Sequence, residues 1–295
     1  MCIRDRLTAI SNSSIFISDG AMGTNLQSRG LEAGGCPESF NLLHPDIVSN
    51  IAKSFFDAGS QMVLSNTFGA NRFMLKKYGY GNKVSEFNSL AIKNASIHKP
   101  DNGFVLGAIG PTGEILQSNG GLIEDAEVLD VFTEQTSELY NAGADGIIIE
   151  TMISTEEACL AIKATKATSN LPIFTTMMFS KGPRGWFTMM GDTPSKAILQ
   201  LENAGADVVG ANCGNGIIAM TELAQLIRDS TQQHTLIHSN AGIPSIRKNE
   251  LIYPESPQYM AKGFLKMKNI GINILGGCCG TTPNHINFLS KELKI

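Results

Sequence analysis

Asn141-Ala142-Gly143-Ala144-Asp145-Gly146-Ile147-Ile148-Ile149-Glu150-Thr151 writes the end of a helix, a turn and a buried strand in one stretch. The amphipathic run 126–143 leads into it, and Gly143 supplies the left-handed residue that ends a helix. An uninterrupted apolar run then reads as a strand covered on both faces, and Glu150-Thr151 breaks it with polar side chains. The same closing motif recurs as Asn203-Ala204-Gly205-Ala206-Asp207, and in weaker form as Asp57-Ala58-Gly59-Ser60.

Working outward, strand-sized runs fall at 15–18, 62–65, 104–109, 146–150, 172–179, 207–211, 235–239 and 271–275. Amphipathic stretches at 46–59, 126–143, 155–168, 194–205 and 220–230 lie between them. Thr193-Pro194 and His44-Pro45-Asp46 read as helix starts, with proline in the first turn. Strands alternating with helices pair in parallel, and eight such units in a chain of 295 residues predict a single-domain (β/α)8 TIM barrel. An open doubly wound sheet is disfavoured. The first strand is followed by Asp19-Gly20-Ala21-Met22-Gly23-Thr24, which lacks dinucleotide-binding spacing. The connection 19–61 is long for one helix and predicts an extra excursion near 30–43. Residues 1–14 carry no pattern that joins them to a core. They are set aside as an N-terminal tail, extraneous to the domain, and 15–295 are assigned to the barrel.

Composition narrows the function. The 23 basic and 27 acidic side chains leave a net charge of -4, without the basic footprint that nucleic acid requires. The apolar runs are strand-sized, so no membrane span and no secretory signal are expected. Six cysteines in such a chain make no disulfide scaffold, and a reducing cytoplasm is the expected location.

In a barrel of this kind the chemistry sits at the C-terminal ends of the strands. Those ends read Asp19-Gly20, Asn66-Thr67-Phe68, Gly110-Pro111-Thr112-Gly113, Glu150-Thr151, Asn212-Cys213-Gly214, Asn240-Ala241-Gly242 and Gly276-Gly277-Cys278-Cys279-Gly280. Cys213, Cys278 and Cys279 therefore converge on one rim. Any one of them alone would pass as a small buried hydrophobe. Three at strand ends, flanked by glycines and without a fourth ligand, point to an open Zn2+ site. Zinc deprotonates a bound thiol at neutral pH, which suits alkyl transfer onto sulfur.

The ordered set Asp19-Gly20-Ala21-Met22-Gly23-Thr24, Asn66-Thr67-Phe68, Gly107-Ala108-Ile109-Gly110-Pro111-Thr112, Ile149-Glu150-Thr151, Asn212-Cys213, Asn240-Ala241-Gly242-Ile243-Pro244 and Gly276-Gly277-Cys278-Cys279-Gly280-Thr281 resembles the zinc-dependent homocysteine S-methyltransferases. The group spans betaine–homocysteine and S-methylmethionine–homocysteine enzymes and the homocysteine module of cobalamin-dependent methionine synthase. The resemblance implies one Zn2+ held by Cys213, Cys278 and Cys279, and homocysteine thiolate attacking a donor methyl group to give methionine. It further implies that Asp19, Gly20, Thr67 and Glu150 hold the amino-acid part of homocysteine. Asn240 matches a residue that occupies zinc when substrate is absent. Plainer roles stay open: a helix cap for Asp19, a backbone bond for Thr67 and a turn for Asn240. Glu150 beside an apolar strand needs a cationic partner, which an ammonium group supplies.

The donor expected first is a small molecule such as glycine betaine, because Trp186 and Arg184 follow strand five on the active rim. Trp186 would wall a quaternary ammonium and Arg184 would meet its carboxylate. With Ile295 close behind the last helix, no folate or cobalamin module is expected within the chain. S-methylmethionine, or a methylated corrinoid on a partner protein, is the alternative donor. A non-catalytic zinc- and homocysteine-binding sensor is the alternative of a different class. His238, just before the rim, reads as a packed core histidine.

Overall fold

The computed structural model describes residues 15–247 and 250–293. Eight parallel strands form the central sheet: β1 (Phe16–Ile17), β2 (Met62–Leu64), β3 (Phe104–Ile109), β4 (Gly146–Met152), β5 (Ile173–Met177), β6 (Val208–Asn212), β7 (His234–Ser239) and β8 (Ile274–Gly277). Their order is β1-β8-β7-β6-β5-β4-β3-β2, each pairing in parallel with its neighbour. Helices cover the outside, and the expected (β/α)8 barrel is present. The expected tail, 1–14, lies outside the described residues.

One device recurs at the N-terminal end of every second strand. A glycine with left-handed φ stands two residues before a side chain bearing a carbonyl or carboxylate oxygen: Gly59 and Gln61, Gly143 and Asp145, Gly205 and Asp207, Gly271 and Asn273. Each of these second residues clasps the preceding strand twice. Its N–H donates to Ile17, Val105, Ile173 or Thr235 carbonyl oxygen at 2.8, 2.9, 2.8 and 3.2 Å. Its side-chain oxygen accepts the N–H of that same residue at 3.2, 2.7, 2.8 and 2.9 Å. The helix-ending motif seen in sequence is therefore also the joint between strands. It ties β1 to β2, β3 to β4, β5 to β6 and β7 to β8.

The β1–β2 seam depends on it most, because β1 is two residues long. Gln61 spans the lower end of that seam, Ser60 Oγ donates to the Ser18 carbonyl at 3.2 Å, and Asp19 spans the upper end by accepting the Leu64 N–H.

Alternation sorts the strand side chains. Phe16, Met62, Leu64, Phe104, Leu106, Ala108, Ile148, Phe174, Val208, Leu236 and Ile274 fill the barrel interior. Ile17, Val63, Val105, Ile147, Ile149, Val209, Ile237 and Leu275 pack outward against the helices. Thr193 caps the helix Pro194–Ala204 as expected, its hydroxyl accepting the Lys196 N–H, and Gly205 closes that helix at φ 107°.

Two antiparallel hairpins, Ser180–Gly182 with Gly185–Phe187 and Ser245–Arg247 with Glu250–Ile252, rise from the loops after β5 and β7. Three-residue strands show no alternation to read, and the sequence reading leaves them as loop. The excursion expected near 30–43 contains a 3-10 turn, Pro37–Ser39, and a short helix, Phe40–Leu43. No helix among the described residues is long and apolar enough to cross a membrane.

Candidate metal and amino-acid site

The C-terminal rim gathers three sulfurs. Cys213, Cys278 and Cys279 offer Sγ atoms within 4.8 Å of one another, and Cys213 Sγ lies 4.0 Å from Cys279 Sγ. Backbone geometry aims them. Cys213 adopts φ 62° and Gly214 φ 75°, so the chain leaving β6 bends left-handed. A non-glycine residue there costs on the order of 1 kcal/mol. The cysteines after β8 are anchored by Cys278 N–H to the Ser239 carbonyl at 2.8 Å and by Ala241 N–H to the Cys279 carbonyl at 2.9 Å. Thr281 turns back and donates its hydroxyl to the Cys278 carbonyl at 2.6 Å. A β-carbon on Gly20 would lie 2.6 Å from that Thr281 oxygen, so glycine is what lets the loop after β1 pack against the cysteine turn.

Thiol electrostatics single out Cys213. The thiols of Cys278 and Cys279 donate to its sulfur, and the Asn240 side chain adds a further bond, all of which drive Cys213 toward thiolate. The ionisation of Cys278 and Cys279 is pushed up by that same donation to Cys213 and by burial. One thiolate is stable in the cluster alone, and two more require a cation to balance them. Asn240 Oδ1 is buried without a hydrogen-bond partner beside the sulfurs. Three soft donors and an orphaned carbonyl oxygen fit a thiophilic dication.

The sulfurs open on a cavity of about 270 Å3. Its wall includes Gly20, Glu38, Glu150, Thr151 and His238, with no lysine or arginine among its lining residues. Asp19 lies just behind, 1% exposed, with its carboxyl bonded to the Leu64 N–H at 2.8 Å and to the Ser18 hydroxyl at 3.3 Å. Burial pushes Asp19 up to about 7 despite those bonds. Burial pushes Glu150 up to about 8, reinforced by the nearby Asp19 carboxylate and the Cys213 sulfur. Acids with no cationic partner at a cavity wall leave a deficit of positive charge, which an ammonium group would fill.

The sequence model of the homocysteine S-methyltransferase family matches residues 16–293. The chain belongs to the homocysteine S-methyltransferase family. It is 30% identical over 95% of its length to methionine synthase of Mycobacterium leprae (strain TN), and 30% identical over 97% to that of Mycobacterium tuberculosis (strain ATCC 25618 / H37Rv). The chain spans about a quarter of the length of those curated relatives, 24% and 25%. In fold it matches the metallated form of the homocysteine methyltransferase MmuM from Escherichia coli, with a TM-score of 0.78 at 18% identity, over 96% of this chain and 98% of that one.

Within this family member the expected site residues separate into groups. Gly20, Glu150 and the three cysteines line the cavity, with Asp19 directly behind Gly20. Thr67 is fully buried with its hydroxyl donating to the Ala108 carbonyl at 2.7 Å, while its neighbours Ser65, Asn66 and Phe68 face the cavity. Trp186 and Arg184 are not among the lining residues. The Trp186 indole is 4% exposed and donates to Glu222 Oε1 at 3.2 Å, and Arg184 stacks over Phe187 at 5.8 Å.

Four further residues enter the site beyond those the sequence reading assigned to it. Asn212 holds Thr151 and Glu150. His238 is buried as expected, but in the cavity wall, with Nε2 lacking a partner. Glu38 arrives from the long first loop and accepts the Gly69 N–H at 2.7 Å. Tyr253, beyond the second hairpin, hydrogen-bonds Cys279, and its phenol is pushed up by burial and by that sulfur. Asn212 was legible through its place beside Cys213; Glu38, in the 3-10 turn Pro37–Ser39, and Tyr253, in the loop after the second hairpin, carry no local signal.

Proposed function

We propose that this protein methylates homocysteine to methionine, with one Zn2+ held by Cys213, Cys278 and Cys279. The observation that carries the reading is the opening of three clustered thiols onto a cavity whose lining carries carboxyl groups and no lysine or arginine. When bound, zinc supplies Lewis acidity that makes a coordinated thiol nucleophilic at neutral pH.

The chain's own residues supply the rest. Asp19 and Glu150 ionise as the ammonium of the amino acid enters, exchanging a desolvation penalty for an ion pair. Gly20 admits the ligand backbone close to β1, and Thr67 supports that wall from behind. The two acids orient the substrate so that its sulfur points at the cysteines, and Asn240 is free to yield its place there. The enclosed apolar part of the cavity excludes water from the sulfur.

For the donor, a small methylated cation such as glycine betaine or S-methylmethionine would enter over Phe68, the aromatic ring in the cavity wall. A second reading, delivery of the methyl group by a partner protein such as a corrinoid carrier, is favoured by exposed apolar side chains near the rim. Ile243 and Ile246, on the segment leaving Asn240, are 71% and 76% exposed. The deciding assay is methionine formation by zinc-loaded protein with glycine betaine, S-methylmethionine or methylcobalamin as sole donor. Turnover with either small cation supports the first reading, and turnover with methylcobalamin alone supports the second. No methionine from any donor, with homocysteine bound, would turn the assignment to a sensor.

A further inference from the structure

Asn212 is fully buried at the end of β6, one residue before Cys213. Its Oδ1 accepts two bonds, from the Thr151 N–H at 2.7 Å and from the Thr176 hydroxyl at 2.8 Å. Both lone pairs of that oxygen are used, so the amide is fixed in one orientation. Its Nδ2 consequently faces three acceptors: Thr151 Oγ1 at 2.7 Å, Glu150 Oε2 at 3.2 Å and Cys278 Sγ at 3.8 Å. Thr151, a β-branched residue, stands at φ 58°, and the two bonds from Asn212 hold it there. One side chain thus touches a carboxylate of the amino-acid end and a sulfur of the metal end.

We propose that Asn212 is a positioning residue that locks the amino-acid end of the cavity and the thiol cluster into a single frame. The inference deepens the homocysteine reading and rests on it. Other side chains do not reproduce the pattern. Aspartate accepts at Oδ1 equally well but places a second acceptor, and a charge, against Glu150 and Cys278. Leucine leaves the Thr151 N–H and Thr176 hydroxyl without their acceptor. Partners of metal ligands commonly control metal affinity by about ten- to a hundred-fold, and a bond to a charged carboxylate is worth a similar factor.

The test uses Asn212→Asp, which keeps both bonds to Oδ1 and removes the donation. Zinc affinity is measured by competition with a chromophoric chelator in the absence of amino acid. L-homocysteine affinity is measured by calorimetry on zinc-saturated protein. Both are expected to fall about tenfold or more, while the cobalt(II)-substituted protein shifts its sulfur-to-metal charge-transfer band. Loss of zinc affinity alone would confine Asn212 to the conformation of Cys213, and loss of homocysteine affinity alone would confine it to Glu150. Either result overturns the proposal, as does no change in both. Asn212→Ser, whose hydroxyl is too short to reach Glu150 or Cys278, is expected to lower both affinities as well, and serves if Asn212→Asp fails to fold. If the parent protein binds zinc but no homocysteine, it is the functional reading that fails, before any variant is compared.

Discussion

The carboxyl of Asp19 accepts the Leu64 N–H at 2.8 Å, bridging the upper end of the β1–β2 seam. The acid proposed to meet the substrate is thus also a fastening of the barrel. Asp19→Asn preserves an acceptor for Leu64, whereas Asp19→Ala leaves that buried N–H unpaired at a cost of about 1–3 kcal/mol. Urea unfolding is expected to separate the two variants by that margin, with both losing homocysteine affinity in calorimetry. Equal destabilisation would show that the bond is not what closes the seam.

The two buried acids give the free protein a pH dependence of definite sign. Asp19 and Glu150 rise from 3.8 and 4.5 to about 7 and about 8 on folding. The native chain therefore keeps protons that the unfolded chain releases between roughly pH 4 and 8, and stability falls as pH rises through that window. Below it both states are protonated, and above it the loss is complete. The urea midpoint of metal-free protein should drop from pH 5 to pH 8, with a flatter profile in the Asp19→Asn, Glu150→Gln double variant. Ligand binding should reverse the effect, releasing protons that calorimetry in buffers of different ionisation enthalpy will count.

Removing one sulfur should remove the metal. Cys278→Ala is expected to abolish stoichiometric zinc and methyl transfer while the far-ultraviolet circular dichroism of the barrel persists. Zinc retained at one equivalent in that variant would place the ion elsewhere. Cys159→Ala is the control, since that thiol lies in the helix Thr155–Thr168 and bonds the Gln200 carbonyl at 3.8 Å.

His238 offers a test of the cavity wall. Its Nε2 is buried without a partner, and burial pushes the imidazole down to about 3, so it stays neutral. His238→Phe replaces an unpaired polar ring by an apolar one and should raise the ligand-free unfolding free energy by about 1 kcal/mol. A fall of that size in the unfolding free energy would mean that the nitrogen is already satisfied.

Much of this was legible from residue order because strand ends and helix caps are local. The run 104–109 matches β3 residue for residue, and the cysteines meet because β6 and β8 flank β7 in any right-handed barrel. The side toward which a loop residue turns is set by distant partners instead. Trp186 lies in a rim hairpin opposite Lys181, but its indole donates to Glu222 Oε1 at 3.2 Å on a barrel helix, beside the Lys181–Glu222 ion pair, and does not line the cavity. Thr67 sits in the expected place after β2, yet the Ala108 carbonyl has its hydroxyl. Glu38 reaches the cavity through a loop whose path no periodicity announces.

The four clasps at Gln61, Asp145, Asp207 and Asn273 divide the circle into quarters that are each contiguous in the chain. New termini opened between β2 and β3, or between β4 and β5, would leave every clasp within an unbroken segment. Opening the chain between β3 and β4 would sever one. A circularly permuted library should therefore survive in a two-beat rhythm around the barrel, with viable cut points falling after each even-numbered strand.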